Sequence, residues 1–423
     1  MNDAQSIRIG RADARPDCTD NSTTLRFLLY SHDSYGLGHL RRNLTIAKAL
    51  LDRFHNASVI ILTGSPCSTQ FPLPANCDVV KIPAVGKDEV GRYVPRSLDL
   101  PLEDLIELRR QLILAAYRSF DPDVILVDHQ PVGLLGEMLE VLEQARDAGK
   151  LLAFGCRDIV DAPAVVEKSW SVPACKLALE HFYDHVFIYG DQRVFDPVRE
   201  YEPLRRIEEK VSVSGYVVNG SGHEPRKPQP GKKPRVLVTL GGGDDGTERI
   251  RNYLDALRLG PVGWTSHIVA GPLMPLQQVH AYKQEVKHSE LREYVKISRF
   301  HGDIPGLMRQ SNAIVSMAGY NSCMEILQSG TPAVLMPREQ MRQEQSIRAS
   351  RLAELGLAQH VPVGETKALR GAIEDALGSP RTTSASLNFD GLAAVCDVIG
   401  RQLGFEGSFS GGTAERNVVT ACQ

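Results

Sequence analysis

No Cys-x-x-Cys occurs anywhere in this sequence, although it holds eight cysteines. Scattered singly, they argue against a disulfide framework and a structural zinc site, and for a reduced, cytoplasmic protein. No apolar run approaches the ~20 residues that a membrane helix needs. The first residues, MNDAQSIRIGRADARPDCTDNSTT, lack the apolar core of a signal peptide. An excess of one charge is lacking too: 48 basic against 51 acidic residues leave a net charge of −3. Such a balance gives no field to hold nucleic acid, which is therefore not expected as a partner. Apolar residues, at 42%, suffice to bury a core and exclude a wholly disordered chain. At roughly 150–200 residues per domain, the 423 residues predict two domains.

What is present is an alternation. From Leu25, LRFLLY reads as a buried strand that stops at a glycine-bearing loop, SHDSYGLGH. Leu40, Leu44, Ala47 and Leu51 then repeat at the helical period. ASVIILTG, CDVVKIP, PDVILVD, LLAFGC, HVFIYG and VSVSGYVV continue the strands, with helical stretches such as LEDLIELRRQLILAAYRSF between them. Residues 219–234 hold four prolines and three glycines and read as a linker. The pattern restarts with RVLVTL, the loop GGGDDG, the helix TERIRNYLDALRLG, and further strands ending in NAIVSMAG and PAVLMP. The expected fold class is α/β: two Rossmann-like domains, each with a parallel sheet, facing across a cleft. The boundaries are a flexible leader 1–24, a first domain 25–218, the linker 219–234, a second domain 235–403 and a flexible tail 404–423.

The glycine loops carry the chemistry. Gly36 and Gly38 let the backbone turn sharply after a strand and let a ligand approach. His39 opens the following helix, whose N-terminus disfavours a protonated imidazole, as suits a general base. A tight turn with a hydrogen-bonded histidine is the structural alternative. Such a base needs an orienting carboxylate, and both Asp33 in the same loop and Asp128 at a strand end are candidates. Gly241, Gly242 and Gly243 present bare backbone N–H groups to a phosphate, and no Walker lysine follows. The segment SMAGYNSCMEILQSG places Gly319, Tyr320, Asn321 and Ser322 at a helix start near Ser322, suited to a diphosphate. Glu325 suits the two hydroxyls of a ribose. Ser322-x-x-Glu325 is also the spacing of a capping box, which needs no ligand. Glu344 and Gln345 open the next helix with groups that bind sugar hydroxyls. There is no clustered Asp-x-Asp metal signature, and neither a metal nor a cofactor is expected.

Together these segments resemble the nucleotide-sugar glycosyltransferases of the two-Rossmann (GT-B) fold, most of all the group with the peptidoglycan N-acetylglucosaminyltransferase that makes lipid II. The likeness covers most of residues 25–400. It is most specific in Gly319, Ser322 and Glu325, which hold the Gly-x-x-[Ser/Thr]-x-x-Glu spacing, followed by SGTPAVLMP and Glu344-Gln345. The resemblance implies that Gly319 and Ser322 contact the diphosphate, Glu325 the ribose and Gln345 the donor sugar. It implies that the Phe300-His301 turn caps the base, and it puts His39 on the family's glycine-loop histidine. The first loop reads SYGLGHLRR instead of the peptidoglycan enzyme's GGTGGH, and Met317 replaces an arginine. DSYGLGHLRR also resembles the loop of nucleotide-sugar hydrolases, in which the histidine activates water.

The resulting expectation is an inverting, metal-independent transfer of a sugar from a nucleoside-diphosphate donor, a UDP-sugar, to an acceptor hydroxyl. Gly36, Gly38 and Arg42 lie on the acceptor side. A hydrolase using the same histidine, and a non-catalytic nucleotide-sugar-binding subunit of a partner transferase, are the alternatives. A lipid-linked acceptor is compatible with the sequence. Leu108–Phe120, with Arg109, Arg110 and Arg118 beside an apolar face, is either a solvated amphipathic helix or a peripheral contact with the inner membrane face.

Overall fold

The computed structural model describes residues 24–32, 38–88, 91–218, 233–243, 245–338, 342–381 and 387–405. Asp33 and Gly36, leader residues 1–23, linker residues 219–232 and tail residues 406–423 lie outside the described residues.

In the first half, β1 (Leu25–Ser31), α1 (Gly38–Arg53), β2 (Ala57–Thr63) and β3 (Cys77–Lys81) are followed by a small hairpin, β4 (Val85–Lys87) and β5 (Tyr93–Pro95). Then come α2 (Leu102–Phe120), β6 (Val124–Asp128), α3 (Leu139–Asp147), β7 (Leu151–Arg157), β8 (His185–Tyr189) and β9 (Val211–Val213). Apart from the hairpin, the strands form one sheet in the order β3-β2-β1-β6-β7-β8-β9, paired in parallel throughout. Helices on both faces bury the strands from two sides, which explains unbroken apolar runs such as LRFLLY rather than an alternating pattern.

The second half repeats the plan. β10 (Arg235–Thr239), α4 (Thr247–Arg258), β11 (Thr265–Val269), β12 (Val295–Ser298), β13 (Ala313–Ser316), α5 (Tyr320–Ser329), β14 (Ala333–Leu335), α6 (Glu344–Glu354) and β15 (Gln359–His360) lead to α7 (Gly391–Gln402). Its sheet runs β12-β11-β10-β13-β14-β15, again all parallel. Strand order reverses between β1 and β6 in one sheet and between β10 and β13 in the other. Crevices form at the carboxyl ends of strands at such switch points, and both crevices open into the same cleft.

Three details differ from the sequence expectations. α5 begins at Tyr320 with Gly319 as N-cap, so Ser322 is already inside the helix and forms no capping box. α7, counted by sequence with the second half, packs Val395, Cys396 and Ile399 into the core cluster that holds Leu40, Ile46 and Leu50 of α1. Arg109 does not project from the amphipathic face of α2. It is fully buried, with Nε donating to Glu137 Oε2 at 2.6 Å, while Arg110 and Arg118 remain outside. Among the described residues no helix is long and apolar enough to cross a membrane, and the described cysteines are all unpaired thiols.

The halves are joined by polar contacts sealed from water. Arg348 of α6 donates from Nη2 to Asp158 Oδ1 at 2.6 Å and from Nε to Oδ2 at 3.1 Å, both side chains being fully buried. Its Nη1 donates to the Ala318 carbonyl, just before α5, at 2.8 Å. Beside this pair, Val217 N donates to the Tyr320 hydroxyl at 3.1 Å and Tyr216 N to the Asn388 carbonyl at 2.8 Å. Arg348→Ala leaves Asp158 charged and unpaired in the interior, which costs about 3–5 kcal/mol. The expected outcome is a clearly lowered melting temperature, partly restored by Arg348→Met combined with Asp158→Leu. A single variant as stable as the wild type refutes this account of the seam.

Candidate active site

His39 follows directly on the first residue of α1, at the carboxyl end of β1. Asp128 is the last residue of β6, the neighbouring strand. The β1–β6 pairing therefore delivers a histidine and a carboxylate to one point from residues 89 apart in sequence. His39 Nδ1 lies 2.6 Å from Asp128 Oδ2, and both side chains are buried. A contact this short to a carboxylate places the proton on Nδ1, so the neutral ring carries its basic lone pair on Nε2. The sequence left Asp33 and Asp128 as alternatives; Asp128 makes this contact, and Asp33 lies outside the described residues.

Arg42, one turn further along α1, was expected on the acceptor side. It lines the cleft, yet its guanidinium is committed to Asp128, with Nη2 donating to Oδ1 at 2.8 Å and to Oδ2 at 2.6 Å. Tyr189 and Tyr320 flank it, with ring centroids 5.6 and 5.3 Å from its guanidinium carbon. Burial alone would push the Asp128 carboxyl up; the Arg42 charge and the two hydrogen-bonding partners outweigh it and bring the carboxyl down to about 2. Asp128 is thus an anion throughout the physiological range and holds the imidazole in one orientation. His32 and His129 pack beside it, their ring centroids 5.2 and 4.8 Å from that of His39. Burial holds both well below the ordinary histidine value, so they contribute neutral rings.

The opposite wall comes from the second half. β10 is followed by the turn Gly241, Gly242 and Gly243; Gly241 and Gly243 have φ of +60° and +89°. A Cβ on Gly243 would meet the Ala270 carbonyl oxygen at 2.2 Å, so this turn admits only glycine there. β13 leads into α5, whose N-cap Gly319 has no side chain to satisfy the first N–H groups. Gly319, Tyr320, Asn321 and Ser322 line a cavity of about 210 Å³ together with the three glycines, Gly38, His39, Glu344 and Gln345. The two helix starts touch: Asn321 Nδ2 donates to the Gly38 carbonyl at 3.1 Å.

Glu325 is not on the cavity wall. Arg41 of α1 reaches across the cleft and binds its Oε1, while Oε2 is buried without a hydrogen-bond partner. Burial raises the Glu325 carboxyl, and Arg41 only partly opposes this. Phe300 is half-exposed and His301 accepts from Asp303 N at 3.1 Å; neither lines the cavity. The residues missed by sequence reasoning are cations: Arg41, Lys87, Arg157, Arg338 and Arg342 all line the cavity. They come from a helix, a hairpin, a strand end and a loop, so no spacing announces them. Among the described residues no group of three or more His, Cys, Asp or Glu side chains could hold a metal ion.

Residues 268–385 match the glycosyltransferase family 28 C-terminal domain, which spans α5, the Glu344–Gln345 pair and most of the second sheet. The chain is a glycosyltransferase of the GT-B fold. An uncharacterized glycosyltransferase of Methanosarcina mazei is 26% identical over 320 residues, 72% of this chain and 77% of the relative. A UDP-N-acetylglucosamine–N-acetylmuramyl-(pentapeptide) pyrophosphoryl-undecaprenol N-acetylglucosamine transferase of Synechococcus sp. is 40% identical over 83 residues, 18% of this chain and 22% of that one. The kitacinnamycin glycotransferase structure superposes with a TM-score of 0.61 at 16% identity, over 90% of this chain and 99% of that one. MurG of Acinetobacter baumannii gives 0.53 at 16% identity, over 89% and 99%. These likenesses bear out the expected fold.

In this glycosyltransferase the Asp128 anion has a signature in acid. Its folded carboxyl sits near 2, below the ~3.9 of an unfolded aspartate. Its stabilising contribution is therefore complete above about pH 4 and lost as pH falls towards 2. Urea unfolding of the wild type and Asp128→Asn is expected to differ by about 2 kcal/mol or more at pH 7. The gap closes as pH falls from about 4 to 2; a gap that stays constant overturns the assignment.

Proposed function

We propose that this glycosyltransferase moves a sugar from a UDP-sugar to an acceptor hydroxyl, inverting the anomeric carbon, with no metal in the reaction. The observation that carries the reading is the position of the His39–Asp128 pair, opposite the uncapped start of α5 in one cavity. His39 Nε2 takes the proton from the acceptor hydroxyl, and the oxygen attacks the anomeric carbon. The bond from that carbon to the diphosphate oxygen breaks, and the diphosphate leaves with the electron pair. N–H groups of Gly241 and Gly242, and those of Tyr320–Ser322 aligned with the helix dipole, stabilise the departing charge without reorganising; the Gly243 N–H closes the turn on the Leu240 carbonyl at 3.1 Å. Asp128 acts through His39: it fixes the tautomer and balances the imidazolium that forms.

The curated relative from Synechococcus is named for a pyrophosphoryl-undecaprenol acceptor, and we extend that to a lipid-linked acceptor here. Leu98 and Leu100 before α2 and Leu108 and Leu112 along it, all 38–45% exposed, support docking of the first half on the cytoplasmic face of a membrane.

Two measurements test the reading. Isothermal titration of UDP separates Glu325 from Arg41, since the ribose and Arg41 compete for one carboxylate. Glu325→Ala is expected to weaken UDP by about 1.5–3 kcal/mol, and Arg41→Ala to tighten it, because no ion pair is given up on binding. Unchanged affinity in both variants removes Glu325 from the donor site. UDP release is then followed over a panel of UDP-sugars with and without a membrane-extract acceptor pool. Acceptor-dependent release that His39→Ala slows about 10²–10⁴-fold is the expected result. Fast release without acceptor establishes a hydrolase instead, and no turnover under either condition a binding subunit.

A further inference from the structure

Part of the positive charge on the cavity wall lies at the first turn of α6 and not at the start of α5. Six cations line it, Arg41, Arg42, Lys87, Arg157, Arg338 and Arg342, against two acids, Asp245 and Glu344. Arg41 and Arg42 are taken by Glu325 and Asp128, which lie outside the lining. The other four gather around the first turn of α6. Arg338 Nη1 donates to Asp245 Oδ2 at 3.0 Å and its Nη2 to Glu344 Oε1 at 3.3 Å. Arg157 Nη2 is 3.9 Å from the same Glu344 oxygen. Lys87 and Arg342 have no acidic partner within ion-pair distance among the described residues.

Arg157 and Arg338 each keep a buried Nε with no hydrogen-bond partner. An unpaired buried donor is costly, and charged donors most of all. The cations also repel one another. Burial first, then neighbouring Arg348 and Arg342, bring the Arg157 guanidinium down to about 10, and burial with Arg342 and Arg338 lowers Lys87. Lys87 and Arg157 belong to the first half, Arg338 and Arg342 to the second, so the group they face must sit in the cleft itself. Gln345 stands among them in the lining; Arg338 N donates to its Oε1 at 2.9 Å, which leaves the amide N–H₂ as its donor group.

We propose that Lys87, Arg157, Arg338 and Arg342 form an anion subsite for a carboxylate carried by the transferred sugar, so that the donor is a nucleoside-diphosphate hexuronic acid. The proposal rests on the donor reading above, in which Gln345 faces the sugar. A uronate carboxylate presents two acceptor oxygens to guanidinium forks, the geometry in which charge-assisted hydrogen bonds are strongest. A neutral hexose in the same place leaves the two buried Nε donors without a charged partner, which is the basis of strong rejection by buried polar sites.

The test compares UDP, UDP-glucose and UDP-glucuronate by isothermal titration on the full chain without acceptor. The wild type is expected to bind UDP-glucuronate at least about tenfold tighter than UDP-glucose, with a preference that shrinks as salt rises. Arg342→Ala and Lys87→Met are expected to reduce the glucuronate-to-glucose ratio towards one, and Arg342→Lys to keep part of it. UDP measured on the same samples reports an intact fold and nucleotide site: if UDP itself does not bind, the donor reading fails. If UDP binds while the wild type holds both sugars equally, the carboxylate proposal is overturned and the cations fall to an anionic acceptor. A glucuronate preference that survives in both Arg342→Ala and Lys87→Met overturns the assignment of the subsite.

Discussion

Arg348 and Asp158 come from different halves of the chain, are fully buried, and meet at 2.6 Å. Two such charges gain little over an apolar pair of the same shape, because stripping their water consumes most of the attraction. What they fix is relative position. The same guanidinium holds the Ala318 carbonyl at 2.8 Å, two residues before α5, and Asp158 follows directly on β7. The carboxyl edge of one sheet is thereby set against the start of the key helix of the other. The cavity, with His39 on one wall and Ser322 on the other, depends on that setting.

The site is built by placing charges where water is excluded and compensating each from the neighbouring element. Asp128 is held by Arg42 and His39, Glu325 by Arg41, and Glu344 by Arg338 and Arg157. In the first two pairs an α1 arginine neutralises an acid contributed by another element. α1 therefore holds Asp128, the partner of His39, through Arg42 and Glu325 through Arg41, one residue apart. Around Glu344 two cations, Lys87 and Arg342, stand in the lining without an acid in ion-pair reach among the described residues.

Much of the architecture was legible because buried parallel strands leave unbroken apolar runs, and each run from LRFLLY to PAVLMP is a strand. His39 and the Gly319–Ser322 turn were legible for a related reason: a loop that meets a ligand must lie at a strand's carboxyl end, where glycines mark the turn. The start of α5 was misjudged because Ser322-x-x-Glu325 satisfies a capping pattern, while the helix takes Gly319 as its cap. No local pattern separated Asp33 from Asp128, since the choice depends on β1 pairing with β6. The cavity's cations were hidden for the same reason, with Lys87 and Arg342 brought together by an interface between halves. The Arg109 side chain shows the converse error: a charged residue on a helix reads as exposed until Glu137 appears beside it in the core.

The Arg41–Glu325 pair gives the cleft a coupling that its parts lack separately. On the proposed donor reading a ribose reaches Glu325 only by displacing a cation anchored in the other half, so nucleotide binding competes with a bond that spans the cleft. Competition of this kind is reciprocal: whatever holds Arg41 elsewhere strengthens nucleotide binding by the same factor. Arg41 lies two residues from His39, on the wall where the acceptor must approach. On the proposed donor reading, an acceptor that engages Arg41 frees the Glu325 carboxylate, and a bound donor frees Arg41 for the acceptor. On the same reading the ion pair biases the cleft towards holding both substrates or neither, and loss of the activated sugar to water before an acceptor is in place is limited accordingly.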